Sequence, residues 1–538
     1  MSIVTGAAST QPKYYTRNAT GLVREISLGS SVILNLSYMT LPFLFLVATQ
    51  GPFSFPGDSP VWTTIIGAVL CLFPTLVYGL FLTAMPRSGG DYVFIGRTLH
   101  PWIGFAANFN FITWAVMGNA YIASLVVPFG ISSAFTAIGV SAHSKTFIDW
   151  ANAISASKGW TFGVAAVALV LVALMMSLSL PRALRIYRLI FPLSLVGLVI
   201  AAVVLVLHGR SDFVNAVSAY GGNYQQIIRD AHTTGYPGGA QFNFANTILA
   251  LPLVIGAFAY AIAGPYLGGE IRTAKRAGLN GMLIALLVAA VLGVVLVALA
   301  SRTFGDDFLG SATYLSNNAS PKYPFAAPSF FFLFVSMLTN STPLIIIMNV
   351  SFVLAMLIAT PSVFIVASRS LFAWAFDRVL PSGLAYVDGR TNAPLVANAV
   401  VLVASLVFLA LIVFGPATFL AILLAAILGQ VLTWLTLMVA AIVFPFRRRS
   451  LYEAMPIKHL YAGGVPTLSI LAVIGLAVEI LFLYILATQT PLGANSPAGL
   501  WTIAIIVAVG LAIYPISYLI NRSRGIDLRL IFAELPPE

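Results

Sequence analysis

Between Thr391 and Phe446 the chain carries no charged side chain, and none stands between Tyr323 and Ser368 either. Soluble domains carry roughly 25% charged residues. Here only 8% of the 538 residues are charged and 59% are hydrophobic. A water-soluble fold cannot hide that much apolar surface, so the surrounding solvent has to be lipid. A helical span takes about 20 apolar residues, so a chain this long has room for about ten to fourteen spans with short loops. The expectation is an all-α polytopic membrane protein with no space for a soluble catalytic domain. Residues 1–20 are polar and lack the apolar core of a signal peptide, so the first apolar segment reads as a span that is retained.

The formal net charge of +11 invites a nucleic-acid reading, which the placement of the charges argues against. Lys and Arg stand in small groups between apolar runs. Assigning alternate groups to one side puts 21 of the 27 basic residues there, from Lys13, Arg17 and Arg24 at the start to Arg522, Arg524 and Arg529 at the end. The other side keeps Lys145, Lys158, Arg210, Arg229, Arg302 and Lys322. This is the positive-inside pattern, and it predicts a multi-pass cell-membrane protein with both termini cytoplasmic. Parity then divides the long uncharged stretches. The predicted spans are 25–48, 61–85, 101–134, 160–180, 186–208, 244–269, 278–302, 342–376, 394–414, 417–444, 465–487 and 499–521. Residues 391–446 hold two spans broken near Gly415-Pro416, and the surplus before span eight forms an interfacial or re-entrant helix near 325–341.

Chemistry of other kinds is poorly represented. Cys71 is the single cysteine, and His100, His143, His208, His232 and His459 show no ligand spacing, so no metal site is expected. No catalytic residue and no cofactor are predicted.

The most specific segment joins spans two and three. It reads Pro86-Arg87-Ser88-Gly89-Gly90-Asp91-Tyr92-Val93-Phe94, then Leu99-His100-Pro101-Trp102-Ile103-Gly104-Phe105. It resembles the Pro-x-Ser-Gly-Gly-x-Tyr signature, followed by Pro-x-x-Gly-Phe, of the amino acid–polyamine–organocation (APC) superfamily of permeases. Three further pieces agree in order. Glu270-Ile271-Arg272-Thr273-Ala274-Lys275-Arg276 follows span six, with Ala274 where the family has proline. Ser368-Arg369-Ser370 through Asp377-Arg378-Val379-Leu380-Pro381 follows span eight, and Asn392-Ala393-Pro394 opens span nine.

The resemblance implies two inverted repeats of five helices, here 25–208 and 244–444. They are joined by an outer loop, 209–243, and followed by two extra helices within 445–521. Residues 1–24 and 522–538 are then the cytoplasmic ends. It also implies that helices one and six break at mid-membrane and hold the substrate there. Unwound backbone is tolerated in the membrane only where a ligand or cavity satisfies it. Half-helix N-termini favour a carboxylate. Gly264-Pro265 is the breaker in span six. Span one lacks the family's usual glycine run, and two alignments place the break at Asn35–Ser37 or at Thr40–Pro42. The candidate substrate residues are therefore Asn35, Ser37, Tyr38, Met39 and Thr40 in span one. In span six they are Phe258, Ala259, Tyr260, Ala261, Ile262, Ala263 and Gly264. Gly89, Gly90 and Asp91 form an inner-gate loop.

Polar residues elsewhere read mainly as packing devices. Asn108, Asn110 and Asn119 in span three suit interhelical hydrogen bonds. Thr360 and Ser362 around Pro361 serve either local capping or, by the resemblance, a sodium site shared with span one. Glu479 in span eleven is expected in a buried pair or a subunit contact. Some proton-coupled relatives carry a lysine in span five. This chain has none in Phe191–Gly197, so sodium and proton both remain open as the coupling ion. The expected activity is secondary transport of an amino acid or related amine by alternating access. With no acid in the expected pocket, a neutral amino acid is favoured over a polycation, since an unpaired charge at mid-membrane is costly. The alternatives are a carrier of the same fold for polyamines, nucleobases or metal ions, and a polytopic membrane enzyme.

Overall fold

The computed structural model describes residues 24–533, apart from Ala240, Ala417, Lys458 and His459. Lys13, Arg17, Lys458 and the outer ends of the two terminal segments therefore lie outside the described residues. Ten helices among the described residues are long and apolar enough to cross a bilayer. An eleventh span is the pair Leu28–Tyr38 and Leu41–Ser54, bent by 42° at its junction. The remaining predicted span, the sixth, is represented by a shorter apolar helix, Phe244–Phe258, whose continuation is broken.

The other spans follow in order. Span two is Pro60–Ala84, three Pro101–Ser141, four Lys158–Met176, five Leu180–Leu207 and seven Ala274–Phe304. Span eight is Thr342–Phe376, nine Leu395–Phe414, ten Ala421–Arg447, eleven Thr467–Thr488 and twelve Pro497–Ser523. Several begin on the same device: a polar side chain accepts an early backbone N–H, and proline occupies the first turn, where its missing donor costs nothing. Ser59-Pro60, His100-Pro101 and Ser496-Pro497 all do this. Span three runs to 41 residues because a π-helical turn at Val126–Ile131, built around Pro128, carries the chain onward instead of ending it. The surplus before span eight is a short buried helix, Phe331–Met337, and the turn between spans nine and ten falls at Gly415-Pro416.

The packing repeats itself with a period of five spans. Span five packs on span eight, and its counterpart, span ten, packs on span three. Span nine packs on spans three and four, and span four on span eight. Span one packs on span seven, and the broken sixth span packs on span two. An odd number of crossings makes the second set enter from the opposite face, so this pattern describes two inverted five-helix units. Span eleven lies against spans ten and two, and span twelve against span three. Outside that plan lie two helices after span five, Arg210–Ala219 and Tyr224–Thr233, and one after span seven, Asp306–Asn317.

Candidate substrate site between the broken helices

Span one stops being helical at Tyr38 and resumes at Leu41, with Thr40 at φ 46° in the left-handed region. The break thus falls at Met39-Thr40, just before Pro42, which removes one backbone donor from the new turn. A non-glycine residue held at positive φ is a strained position of the kind that clusters at functional sites. In span six the helix ends at Phe258, and Ala259, Tyr260, Ala261 and Ile262 form turns. A new helical turn then starts at Ala263. Gly264-Pro265 therefore opens the second half-helix, where proline fits, and the unwound residues precede it.

The two breaks are locked to each other. The Asn35 side-chain oxygen accepts from the backbone N–H groups of Ala263 (3.0 Å) and Gly264 (3.4 Å), the first donors of the new half-helix. The Asn35 amide group donates to the carbonyl of Ser31 at 2.8 Å, which fixes its orientation. Asn35 is fully buried. A neutral amide thus occupies the point where the positive end of the half-helix dipole would receive an anion.

Above this lock stands an aromatic wall. Tyr38 meets Tyr260 edge-on with ring centres 5.2 Å apart, and Tyr260 meets Trp434 of span ten edge-on at 5.6 Å. The Tyr260 hydroxyl donates to the side-chain oxygen of Gln430, also from span ten. Phe258, Met39, Ala261, Ile262 and Ala263 are buried around the break, and Tyr260 remains half-buried. Thr40 donates its hydroxyl to the Tyr38 carbonyl, while the Ser37 and Tyr38 hydroxyls have no partner. The side chains around the break are thus aromatic and uncharged. Gly264 does not present its missing side chain to span one. A Cβ there would meet Met282 at 3.5 Å and Leu82 at 3.6 Å, ordinary contacts on the far side.

Toward the basic face the break rests on the loop between spans two and three. Gly90 has φ 52°, and a Cβ on it would lie 2.7 Å from the Tyr266 ring. Gly89 has φ 113°, and its Cβ would lie 2.8 Å from Ala373 of span eight. Both glycines are required by conformation and by contact. The backbone of Gly89 donates to the Tyr266 carbonyl at 3.3 Å. Asp91 follows them as the first residue of helix Asp91–Thr98, is fully buried, and accepts from the Tyr266 hydroxyl at 2.6 Å. Two buried ion pairs hold the same face. Arg369 binds Glu270 through two nitrogens at 2.8 and 3.0 Å, and Arg97 binds Asp377 at 2.7 Å.

At the proposed ion position, Ser362 donates to the Leu34 carbonyl of span one at 3.3 Å. The Tyr187 hydroxyl of span five stands 2.8 Å from the Ser362 hydroxyl and donates to the Ile358 carbonyl at 3.0 Å. Thr360 is buried with its hydroxyl unpartnered. The Leu34 and Ile358 carbonyls and the Ser362 hydroxyl are thus engaged by hydroxyl groups, with Tyr187 contributed by span five, while the Thr360 oxygen is not.

The asparagines of span three divide. Asn108 accepts from Trp374 at 2.9 Å, and Asn110 donates to the Gly429 carbonyl at 2.6 Å, so both join spans. Asn119 is buried with neither polar atom partnered. Glu479 is buried and, among the described residues, has no basic partner, so of the two expectations the buried ion pair is not formed within the chain; Cys71 and Tyr78 of span two lie near it. Gln430, Trp434, Tyr78 and Tyr187 escaped the sequence reading. Only Gln430, a lone amide in an apolar run, gave a signal that could have exposed it. No group of three or more His, Cys, Asp or Glu residues that could hold a metal occurs among the described residues.

An inverted pair of five-helix units with facing backbone breaks, uncharged walls and a glycine-loop floor defines a membrane carrier. The amino acid permease family model matches residues 56–527, and the chain belongs to that family. It is a membrane transporter for amino acids or amines. A search of curated proteins found no match.

Proposed function

We propose that this transporter moves a neutral amino acid by alternating access, bound where spans one and six are broken, with both chain ends on the cytoplasmic side. The observation that carries the reading is the break itself. Backbone and amide dipoles of Asn35, Met39-Thr40 and Ala259–Gly264 converge there, and Tyr38, Tyr260 and Trp434 form the wall. Such a site offers fixed polar partners to an α-amino and α-carboxylate pair and an apolar surface to the side chain. No Lys, Arg, Asp or Glu stands among the wall residues, so a second substrate charge there would lack a counter-ion. The basic residues gathered on the Arg87, Arg272 and Arg369 face support the orientation.

The test is counterflow in proteoliposomes loaded with unlabelled amino acids, using radiolabelled L-leucine and L-phenylalanine outside. Competition by neutral amino acids but not by putrescine is expected. Competition by putrescine alone would refute the neutral-substrate reading. Replacing Tyr260 with alanine should change which amino acids compete, because it removes both the Tyr38 contact and the Gln430 hydrogen bond.

A further inference from the structure

We propose that Asp91 is a proton-binding site through which this transporter, if the reading above holds, draws on a proton gradient. Asp91 lies at the meeting point of the elements that a carrier must move apart. One carboxylate oxygen accepts from Tyr266, which follows the break in span six. The other oxygen has no partner. Tyr78 of span two, Tyr38 of span one and Asn108 of span three face the same group. The hydroxyls of Tyr38 and Tyr78 and the amide nitrogen of Asn108 are themselves buried without partners. One carboxyl therefore touches the environment of four separate spans, with hydrogen-bonding capacity left over on every side.

Among the described residues no cation pairs with it. Arg87, buried four residues earlier, has contacts of its own. Arg97, the basic residue of its own short helix, is turned to Asp377 and lies over Phe532. Arg369 is held by Glu270. Span ten also packs on this helix, and its only ionisable side chain is Arg447 at its end. A buried carboxylate without a counter-charge takes up a proton instead. Burial raises the Asp91 pKa above the usual aspartate range, and the Tyr266 hydrogen bond offsets only part of that rise. Sodium is the less suitable ion for this chain. Donors face Asp91, and the hydroxyl groups of Tyr187 and Ser362 fill the position between spans one and eight.

The cycle follows from burial. In the closed form the carboxyl keeps its proton. When the basic face opens, water reaches it and its pKa falls toward the ordinary range. The O–H bond then breaks, the proton passes to water as hydronium and Asp91 becomes a carboxylate. Closing again buries that carboxylate without a cation, so the closed form waits for a proton from the other side. Each unit of pKa difference between closed and open forms is a tenfold preference, or about 1.4 kcal/mol.

The experiment uses the full-length protein. Infrared difference spectra between acid and alkaline pH should show a protonated-carboxyl band that titrates above the usual aspartate range. Asp58 and Asp306 also hold their protons above the usual range, so the Asp91 component is the part of the band lost in Asp91→Asn and retained in Glu479→Gln and Asp58→Asn. Tyr266→Phe removes a donor to the carboxylate and should move the midpoint upward. In proteoliposomes, L-leucine accumulation should rise about tenfold per pH unit of inward gradient at one proton per substrate. Folded Asp91→Asn should lose that response. An infrared difference spectrum that Asp91→Asn leaves unchanged, a lost component that titrates within the exposed-carboxylate range, or a gradient response that persists in folded Asp91→Asn would overturn the proposal. So would a band suppressed by sodium or putrescine. If the wild type moves neither L-leucine nor L-phenylalanine, the transport reading fails by itself, and the infrared titration still decides the proton site.

Discussion

Replacing Asn35 with alanine tests the lock between the two breaks. The substitution deletes the acceptor for two buried N–H groups, those of Ala263 at 3.0 Å and Gly264 at 3.4 Å. A buried donor left unpaired costs about 1–3 kcal/mol, and loss of an ordinary helix cap about 0.5–2. The longer of the two bonds is the weaker, so the expected destabilisation is about 2–4 kcal/mol. Cys71, the single cysteine, is 1% exposed and supplies the assay. A maleimide dye that fluoresces on reaction reports its exposure as the protein melts. The variant should melt earlier. A carboxylate-bearing ligand such as L-leucine should then stabilise it by more degrees than it stabilises the wild type, because the freed N–H groups become available to the ligand carboxylate. Unchanged melting would show that the half-helix does not depend on Asn35. Earlier melting with no extra ligand stabilisation would separate the cap from the substrate site.

Two further substitutions probe opposite faces. On the face away from the basic loops, Asp58 is buried at a cavity of about 250 Å3 with neither carboxylate oxygen partnered, and burial, aided by Asp306, raises its pKa to about 8. The folded state thus holds a proton that the unfolded chain releases near the ordinary aspartate pKa. Stability is therefore fullest below that value, is lost as pH rises toward about 8, and is level beyond. Asp58→Asn should remove that slope and raise the alkaline stability, seen as a higher melting temperature, by on the order of 6 kcal/mol at most; parallel pH profiles for variant and wild type would refute it. On the basic face, Gly90→Val places a β-branched residue at φ 52° with its Cβ 2.7 Å from Tyr266. It should slow counterflow of L-leucine far more than it weakens L-leucine binding, and equal losses in both would make the loop part of the binding site alone.

The spans were legible because a long charge-free run has one physical solution, and charge sidedness divided the runs that hydropathy left merged. The glycine loop was legible because paired glycines outside a helix signal backbone that no other residue can adopt, as φ 113° and 52° show. The break in span one was legible only as two alternatives, of which the structure takes the one at Thr40–Pro42. Its turn is made by Thr40 at positive φ, a residue whose propensity does not announce it, and only the packing of both repeats compels that conformation. In span six, Gly264-Pro265 marked the region, but proline begins a helix as readily as it ends one. The sequence therefore left the unwound residues one turn away. Asp91 was legible only as part of the inner-gate loop. Its neighbours in sequence include Arg87 and Arg97, whereas its neighbours in space are Tyr266 and residues of three other spans, which only the fold brings together. Gln430 and Trp434 reach Tyr260 only through the five-span repeat, which places span ten against span three and beside the break.

A broken helix in a membrane needs partners for its freed backbone, and here each break recruits them from the other. Asn35, on the last helical turn before the break in span one, supplies the acceptor that starts the second half of span six. The second half of span six is in turn fastened at the basic face. Residues 25 and 26, leading into span one, donate to the Glu270 carbonyl at 3.0 Å, and the Glu270 side chain is held by Arg369 of span eight. Tyr266 lies between these fastenings and gives its hydroxyl to Asp91. Movement of span six therefore cannot leave span one, span eight or Asp91 unchanged. A ligand that replaces the Asn35 contact at one end of the short half-helix, and a proton that neutralises Asp91 at the other, act on the same four-residue turn, Ala263–Tyr266. Where both proposals hold, the two effects are coupled reciprocally, each changing the affinity for the other by the same factor.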